Sequence, residues 1–445
     1  MHNDLRNRLQ NVSIIGAGGK MGRGISLVLL KLIVDSNLPN DLKKCQLILI
    51  DNSLENLQSL RTYLKEQLLK YAERNIGSLR QRYIEHSNLV DNSEIIQHFL
   101  LDAESTVHTS TDISCCQNSK MIFEAVFENL ELKTRIYSQL KNIVSKDTYF
   151  FSNTSSIPIS EIDTKAQLNQ KIIGFHFYNP PAIQKLVEVI KMPNSPAEIL
   201  EVSNSLITSL GKIKVPSNDI AGFIGNGHFI REGLAILRQM NSMPNEQHES
   251  IFILNEIISK ILLRPMGMFQ LIDYVGLDVF DMICSTMSQY IIEDFESPLV
   301  TQMLSLGFKG GQHGDGSQKD GFFKYEKGKI IGVINLKAKC YTPITDLKIP
   351  EFQDYLCSTS WKELSKNKQA ENLLTEHFKN LSKSETTPAK YAKGLLHNYI
   401  AIGQKLVEDA VTEEINNVDA VLKNGFYHLY GPGSKCLKPF QGVQP

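Results

Sequence analysis

The chain is 445 residues long, 42% hydrophobic and 21% charged, with a formal net charge of -1 and a pI near 6.8. That length allows two or three domains with cores of their own, and the near-neutral balance gives no bulk attraction to nucleic acid or to an anionic membrane. Seven scattered cysteines, only Cys115 and Cys116 adjacent and none in a C-x-x-C or Cys/His metal spacing, imply free thiols in a reducing compartment. A cytoplasmic protein without a bound metal is the expectation.

The opening residues, MHNDLRNRLQNVS, lack the apolar centre of a secretory signal. The longest apolar run, Ile25 to Val34, is short and contains Lys31, so it reads as a core helix and not a membrane span. Before it, Val12 to Ile15 is a brief apolar strand that runs into Gly16-Ala17-Gly18-Gly19-Lys20-Met21-Gly22-Arg23-Gly24. Strand, glycine turn and helix form the context of a dinucleotide fingerprint, in which backbone amides and a helix N-terminus face a pyrophosphate. Two counts compete. From Gly16 the third glycine arrives one residue late, at Gly22; from Ala17 the spacing fits Gly19 and Gly22 but the first glycine is missing.

A second strand, Gln46 to Ile50, ends in Asp51, whose carboxylate can accept both ribose hydroxyls and repel a 2′-phosphate, favouring NAD over NADP. The gap from the glycine turn exceeds the usual unit by about ten residues, assigned to an extension over Asp35 to Lys44. Leu54 to His86 reads as one or two amphipathic helices with Lys65, Lys70, Arg74, Arg80 and Arg82 interleaved, either a solvated face or a grip on an anionic tail. Val107 to Thr109, Met121 to Val126 and Thr148 to Ser152 are further strands, with helical Leu130 to Val144 between them. Strands alternating with helices imply a mostly parallel sheet covered on both faces. The segment Ser152 to Ser156 then lies at a strand's C-terminal end, where ligands bind in such sheets.

Ile172 to Tyr178 and Lys185 to Ile190 are two β-rich runs separated by Asn179-Pro180-Pro181. Alternation places His176 on the side of Ile172, Gly174 and Tyr178, and Glu188 on the side of Leu186 and Ile190. A carboxylate among apolar neighbours needs a partner, and an imidazole supplies one: Glu188 would fix the His176 tautomer and favour the imidazolium, the outline of an acid/base pair. Taken alone, such residues are more often a satisfied structural pair.

After Pro193 to Pro196 a helix (Ala197 to Leu210) leads to strand-like Lys212 to Pro216, and a boundary falls near 214 to 218. The chain is then mainly helical to about Ser305. Gly307 to Gly321 is a glycine-rich loop, followed by a strand and turn over Phe322 to Lys329. Helices resume in the tail, including Tyr391 to Val411, and Leu406 to Gly433 echoes Leu234 to Gly267 as a degenerate repeat.

Seven motifs in one order resemble the L-3-hydroxyacyl-CoA dehydrogenase family: MGRGI (21–25), FEAVFENLELK (123–133), SNTSS (152–156), GFHFYNPP (174–181), LVEVI (186–190), AGFIGN (221–226) and RPMGMFQLIDYVGLD (264–278). The resemblance spans about Asn11 to Tyr325. It implies an α/β Rossmann-type N-terminal domain over 1–216 with a helical CoA-binding arm at about 54–90. A helical C-terminal domain over 217–336 closes over the substrate, and a second, degenerate copy occupies 337–445. It implies His176 as catalytic base, Glu188 as its orienting partner, and Ser155 and Asn226 around the reacting oxygen and thioester. NAD would be held by Gly16, Gly18, Gly19, Met21, Gly22, Asp51, Glu128, Lys133 and Asn153, and the CoA chain by the arm carrying Lys65 and Lys70. The implied reaction is NAD-dependent interconversion of L-3-hydroxyacyl-CoA and 3-oxoacyl-CoA, with acyl-CoA as partner molecule and a homodimer formed through helical domains. Ala221 and Gly227 depart from the family's proline and arginine, the glycine turn is shifted, and Gln312 to Lys319 exceeds the usual turn. A dehydrogenase of another 3-hydroxyacyl thioester or small 3-hydroxy acid, and a non-catalytic NAD- or CoA-binding protein, are the alternatives.

Overall fold

A computed structural model describes residues 3–37, 39–42, 44–86, 88–313, 316–348 and 359–441. The chain forms two compact units, Met1–Asp219 and Ile220–Pro445. In the first unit the elements are α1 (Asn3–Arg8), β1 (Asn11–Ile15), α2 (Lys20–Ser36), α3 (Pro39–Leu42), β2 (Gln46–Ile50), α4 (Leu54–Arg74), α5 (Ile76–Arg82), α6 (Asn92–Ser105), β3 (Val107–Ser110), β4 (Met121–Glu124), α7 (Leu130–Ile143), β5 (Tyr149–Ser152), α8 (Ile159–Ala166), β6 (Ile172–Phe177), β7 (Leu186–Lys191), α9 (Ala197–Ser209) and β8 (Ile213–Asn218). The expected extension is α3, and the long amphipathic stretch breaks at Asn75 into α4 and α5.

The eight strands pair in the order β3-β2-β1-β4-β5-β6-β7-β8. Every pairing is parallel except β6 with β7. Chain order reverses direction between β1 and β4, the switch point at which doubly wound sheets open a ligand crevice. There the two following loops nearly touch. Gly16 has φ +77°, and a Cβ on it would lie 2.7 Å from the Ala125 carbonyl oxygen, so both conformation and space require glycine.

The sheet has two unlike faces. Val12, Ile14, Leu47, Leu49, Phe123, Phe151, Phe175 and Val189 share a core with apolar residues of α2, α4, α6 and α9, driven by area removed from water. The opposite face, toward α7 and α8, carries Ser13, Glu124, Ser152, His176 and Glu188, all buried. Polar side chains in such a place must find partners in one another.

The second unit contains α10 (Gly225–Asn241), α11 (Gln247–Glu256), α12 (Met268–Val275), α13 (Leu277–Ser288) and α14 (Pro298–Ser305), then β9 (Phe323–Glu326), β10 (Lys329–Asn335) and β11 (Cys340–Pro343), then α15 (Trp361–Leu364), α16 (Ala370–Lys383), α17 (Thr387–Glu408) and α18 (Ile415–Gly425). The helical region thus carries a small antiparallel sheet, of which the strand and turn read after Gly321 are the first part. Buried Asp273 anchors that sheet, accepting from the amides of Phe322 (2.6 Å) and Phe323 (2.9 Å) and from the Tyr325 hydroxyl (2.9 Å). Ahead of α12, the buried Arg264 guanidinium donates to the Tyr430 hydroxyl (3.0 Å), meets the His428 ring (2.8 Å) and lies 4.1 Å over Tyr399. It ties the early helices to the tail.

Two glycines should respond in opposite ways to alanine. A Cβ on Gly22 would lie 2.0 Å from the Gly16 carbonyl oxygen, whereas Gly77 has nothing within 4 Å. Gly22→Ala is expected to lower unfolding free energy by about 1–3 kcal/mol through forced backbone movement, and Gly77→Ala to raise it by roughly 0.5–1 kcal/mol through helix propensity. Urea denaturation of both variants checks the contrast.

Candidate active site

The glycine turn settles the competing counts. Gly16 makes the tight turn, Gly18 faces Asp51, and Gly22 is the glycine at which helix and strand end pack closely, with the extra residue taken up before α2 begins at Lys20. Gly19 is the helix N-cap and brings no capping side chain, so the first-turn amides are not satisfied by it. Met21 sits half-buried in that turn. At the end of β2, Asp51 accepts from the Gly18 amide (3.0 Å), the Ser53 amide (3.1 Å) and the Asn56 side chain (3.3 Å). A carboxylate is therefore held against the glycine turn, and the Arg23 side chain donates to the Gly18 carbonyl (2.8 Å) to brace it from the helix side. Glycines without Cβ, a helix N-terminus and an acidic group at the next strand end suit a dinucleotide.

On the polar sheet face, β4 supplies Glu124, fully buried, bound by the Lys133 ammonium (2.7 Å), the Ser152 hydroxyl (2.8 Å) and the Val126 amide (2.8 Å). Lys133, 1% exposed, reaches back from the first turn of α7 and also meets Glu128 at 3.2 Å. Burial would pull the Lys133 ammonium down, but the two carboxylates outweigh it and hold its pKa above the ordinary lysine value.

Glu128 in turn organises the serine-rich loop. One carboxylate oxygen accepts from the Thr154 hydroxyl (2.6 Å), the amides of Ser155 (2.9 Å) and Ser156 (3.0 Å), and the Ser156 hydroxyl (3.0 Å). Burial pushes this carboxyl up; Lys133 and the loop donors overcome that and hold it below the usual carboxylate range. Asn153 fastens the same loop to β6, its side-chain oxygen accepting from the Phe177 amide at 2.8 Å. Asp219 closes the far end by capping α8 through the amides of Ile159 (2.5 Å) and Ser160 (2.8 Å). Ser155, half-buried, sits in a loop fixed on three sides.

The antiparallel register of β6 and β7 sets His176 directly opposite Glu188. The imidazole Nδ1 lies 3.3 Å from the Glu188 carboxylate, whose side chain is 0% exposed, while the His176 side chain is 11% exposed. Tyr178, two residues along the same face, donates its hydroxyl to the same carboxylate oxygen at 2.9 Å. Sequence reasoning placed Tyr178 on that side without giving it a role. The available signal was its i+2 position from His176 beside a carboxylate with room for a second donor.

Of the remaining residues, Asn226 lies half-buried in the first turn of α10, in the second unit. Lys65 and Lys70 are both exposed on the unbroken helix α4. Five residues apart they project about 140° from each other around the axis, so one ligand group cannot face both. Lys65 is the one beside a groove that Arg61, Leu64, Leu68, Leu100 and Glu104 also line. Asp219, Asn153 as a loop fastener and Tyr178 are the positioning groups that motif reading did not supply.

The chain is similar to known proteins over most of its length. The model of the 3-hydroxyacyl-CoA dehydrogenase NAD binding domain matches residues 11–220, and that of the 3-hydroxyacyl-CoA dehydrogenase C-terminal domain matches residues 222–320. Hydroxyacyl-coenzyme A dehydrogenase, mitochondrial, of Homo sapiens is 29% identical over 320 residues, 72% of this chain and 92% of that protein. A Deinococcus radiodurans protein named "Probable 3-hydroxybutyryl-CoA dehydrogenase" is 31% identical over 232 residues, 51% of this chain and 80% of its own length. The crystal structure of 3-hydroxybutyryl-CoA dehydrogenase from Escherichia coli shares the fold with a TM-score of 0.61 at 20% identity, covering 96% of this chain and 90% of that one.

Glu128→Gln should separate the loop's ionic support from its hydrogen bonds. Losing the charge-assisted bonds is expected to lower stability by about 1–3 kcal/mol near neutral pH. Because the folded-state carboxyl is held below the ordinary glutamate value, the advantage of the parent over the variant is present above that value and lost as pH falls through the folded one. Denaturation curves of the two proteins from pH 7 to pH 3 should converge at the acid end.

Proposed function

We propose, for a chain that belongs to the 3-hydroxyacyl-CoA dehydrogenase family and is thereby an NAD-dependent oxidoreductase of 3-hydroxyacyl-CoA, that His176 and Glu188 are its acid/base pair. The observation that carries this reading is the cross-strand pairing of a nearly buried imidazole with a fully buried carboxylate. In oxidation the hydroxyl proton passes to the imidazole Nε2, while Glu188 at Nδ1 fixes the tautomer and offsets the charge that appears on the ring. In the reverse direction the imidazolium returns the proton to the carbonyl oxygen. The ring's small exposure keeps one edge reachable, and burial of its partner keeps the pair oriented.

NAD, when bound, supplies the acceptor for the hydride lost from the alcohol carbon. Gly16, Gly18, Gly19, Met21 and Gly22 with the start of α2 would hold its pyrophosphate, and Asp51 its adenine ribose. Glu128, Lys133 and Asn153 would act toward the nicotinamide end through the loop they hold, and Ser155 would bind the substrate hydroxyl or thioester oxygen. We assign Asn226 a hydrogen bond to the substrate oxygen, a role the family resemblance implies. A donor to that oxygen accelerates reaction only to the extent that it binds the developing charge more strongly than the ground state. Lys65, beside its groove, is the better placed of the two lysines for a CoA phosphate.

For the rest of the chain we propose two helical domains, 217–336 and 337–445. Their support is a repeated local device: the Asn255 side chain of α11 accepts from the Gln270 amide (3.1 Å) just past Pro265-Met266-Gly267, and the Asp419 side chain of α18 accepts from the Gly433 amide (2.8 Å) in Gly431-Pro432-Gly433. Assembly as a homodimer through these domains follows the family resemblance and is tested by sedimentation. Among the described residues no helix is long and apolar enough to cross a membrane. The unpaired thiols at Cys45, Cys115, Cys116, Cys284, Cys340 and Cys436 suit a reducing compartment such as the cytoplasm.

His176→Ala and Glu188→Gln are expected to lower acetoacetyl-CoA reduction by roughly 10²- to 10⁴-fold, with NADH affinity nearly unchanged by fluorescence titration. Full turnover in purified His176→Ala would remove the imidazole from the mechanism. Separately, NADH should bind much more tightly than NADPH because Asp51 opposes a 2′-phosphate; equal affinities would mean that Asp51 does not face the ribose.

A further inference from the structure

We propose that Tyr178 is a positioning residue that sets the working pH of the His176–Glu188 pair by sharing the carboxylate oxygen that faces the imidazole. The inference rests on the acid/base reading above and adds to it a third group. The Tyr178 hydroxyl donates to Glu188 Oε2 at 2.9 Å, shorter than the 3.3 Å from the same oxygen to His176 Nδ1. The two rings lie side by side on one face, with centroids 4.6 Å apart. Two donors therefore compete for one acceptor.

The consequence follows from electrostatics. Glu188 has no exposed surface, so its charge is spread only over the donors that reach it. A phenol donating to that oxygen disperses part of the charge that would otherwise stabilise the imidazolium. An imidazolium opposite that oxygen is therefore stabilised less than it would be by a carboxylate with no second donor. Burial, then the Glu188 charge, push the Tyr178 hydroxyl far above the ordinary phenol range, so it remains a donor throughout any usable pH range.

Charged groups reach the neighbourhood of the pair from several elements. On β7 the neighbours of Glu188 on that face are Leu186 and Ile190, and β8 sets Val215 opposite it. On β6 the face carries Gly174, His176 and Tyr178. On the same face β4, α7 and the loop between them carry Glu124 with Lys133 and Glu128, bonded to one another and to Ser152; α8, packed against β6, carries Glu161, Asp163 and Lys165, and Asp219 is bonded to the amides of Ile159 and Ser160. Lys212, just before β8, has its ammonium tied to the carbonyls of Pro181 (2.8 Å) and Gln184 (2.6 Å), and burial brings it down to about 8. It titrates above the range in which an imidazole ordinarily does and is to be separated from it by its own variant.

The test is Tyr178→Phe, which keeps the ring and deletes the donor. The acid limb of kcat/KM for 3-hydroxybutyryl-CoA oxidation by NAD should move to higher pH by about half to one unit, with the melting temperature within a few degrees of the parent. A merely structural role would lower stability or activity without moving that limb. A direct reading is the titration of the His176 ring in protein labelled at histidine 13Cε1, assigned by the signal absent from His176→Ala; its midpoint should rise by the same amount. Lys212→Met should leave that midpoint in place. Superimposable titrations of parent and Tyr178→Phe would overturn the proposal even with the acid/base pair intact. A shifted titration alongside an active His176→Ala enzyme would instead retain Tyr178 as tuning the pair and overturn the catalytic reading.

Discussion

A buried carboxylate must be bonded or it will not stay charged, and this constraint shapes one whole face of the sheet. Glu124 and Glu188 have no exposed surface, a state that would cost several kcal/mol for each ion left unpaired. Each is answered from a neighbouring element: Glu124 by Lys133 and Ser152, Glu188 by His176 and Tyr178. The helix α7 is oriented by the first set and the β6–β7 ribbon by the second. Groups that must satisfy one another in a dry interior cannot drift, and an oriented imidazole is what the proposed proton transfer needs.

The other face obeys a simpler rule. Its strands carry aliphatic and aromatic side chains into a common core with four helices, and the stacked rings of Phe123 and Phe151, 4.6 Å apart, with Phe175 edge-on to both, fill the middle. One face supplies the stability that offsets the burial of charge on the other, and both converge on the strand ends where the loops after β1, β4 and β5 emerge.

Within those loops a chain of restraints runs from charge to geometry. Lys133 bridges Glu124 to Glu128, Glu128 gathers Thr154, Ser155 and Ser156, and Asn153 joins that loop to the backbone beside His176. Residues that motif reading assigns to the cofactor thus also hold the loop over residues 153–156 in place. In the second unit the same economy recurs, with Asp273 anchoring a three-stranded sheet and Arg264 joining early helices to the tail.

Periodicity, glycine punctuation and motif order predict the eight strands of the first unit, its helices α2, α4, α5, α7 and α9 and the strand–turn–helix at the glycine turn, and they single out His176 and Glu188 as a candidate pair, because these depend on neighbours within a few positions; α1, α6 and α8 appear only in the structure. The order of the chain could not decide which count of the glycine turn was right. Only the approach of Gly22 to the Gly16 carbonyl does so, a contact between backbone segments that composition does not encode. The antiparallel turn of β7 against β6, the full partnership of Glu128 and the hydroxyl of Tyr178 on Glu188 likewise belong to tertiary structure. Alternation says which side of a strand a residue takes. Which partner it meets there is decided by register and by how the sheet is covered, since a hydrogen bond needs atoms within about 3 Å and a linear pattern carries no distances.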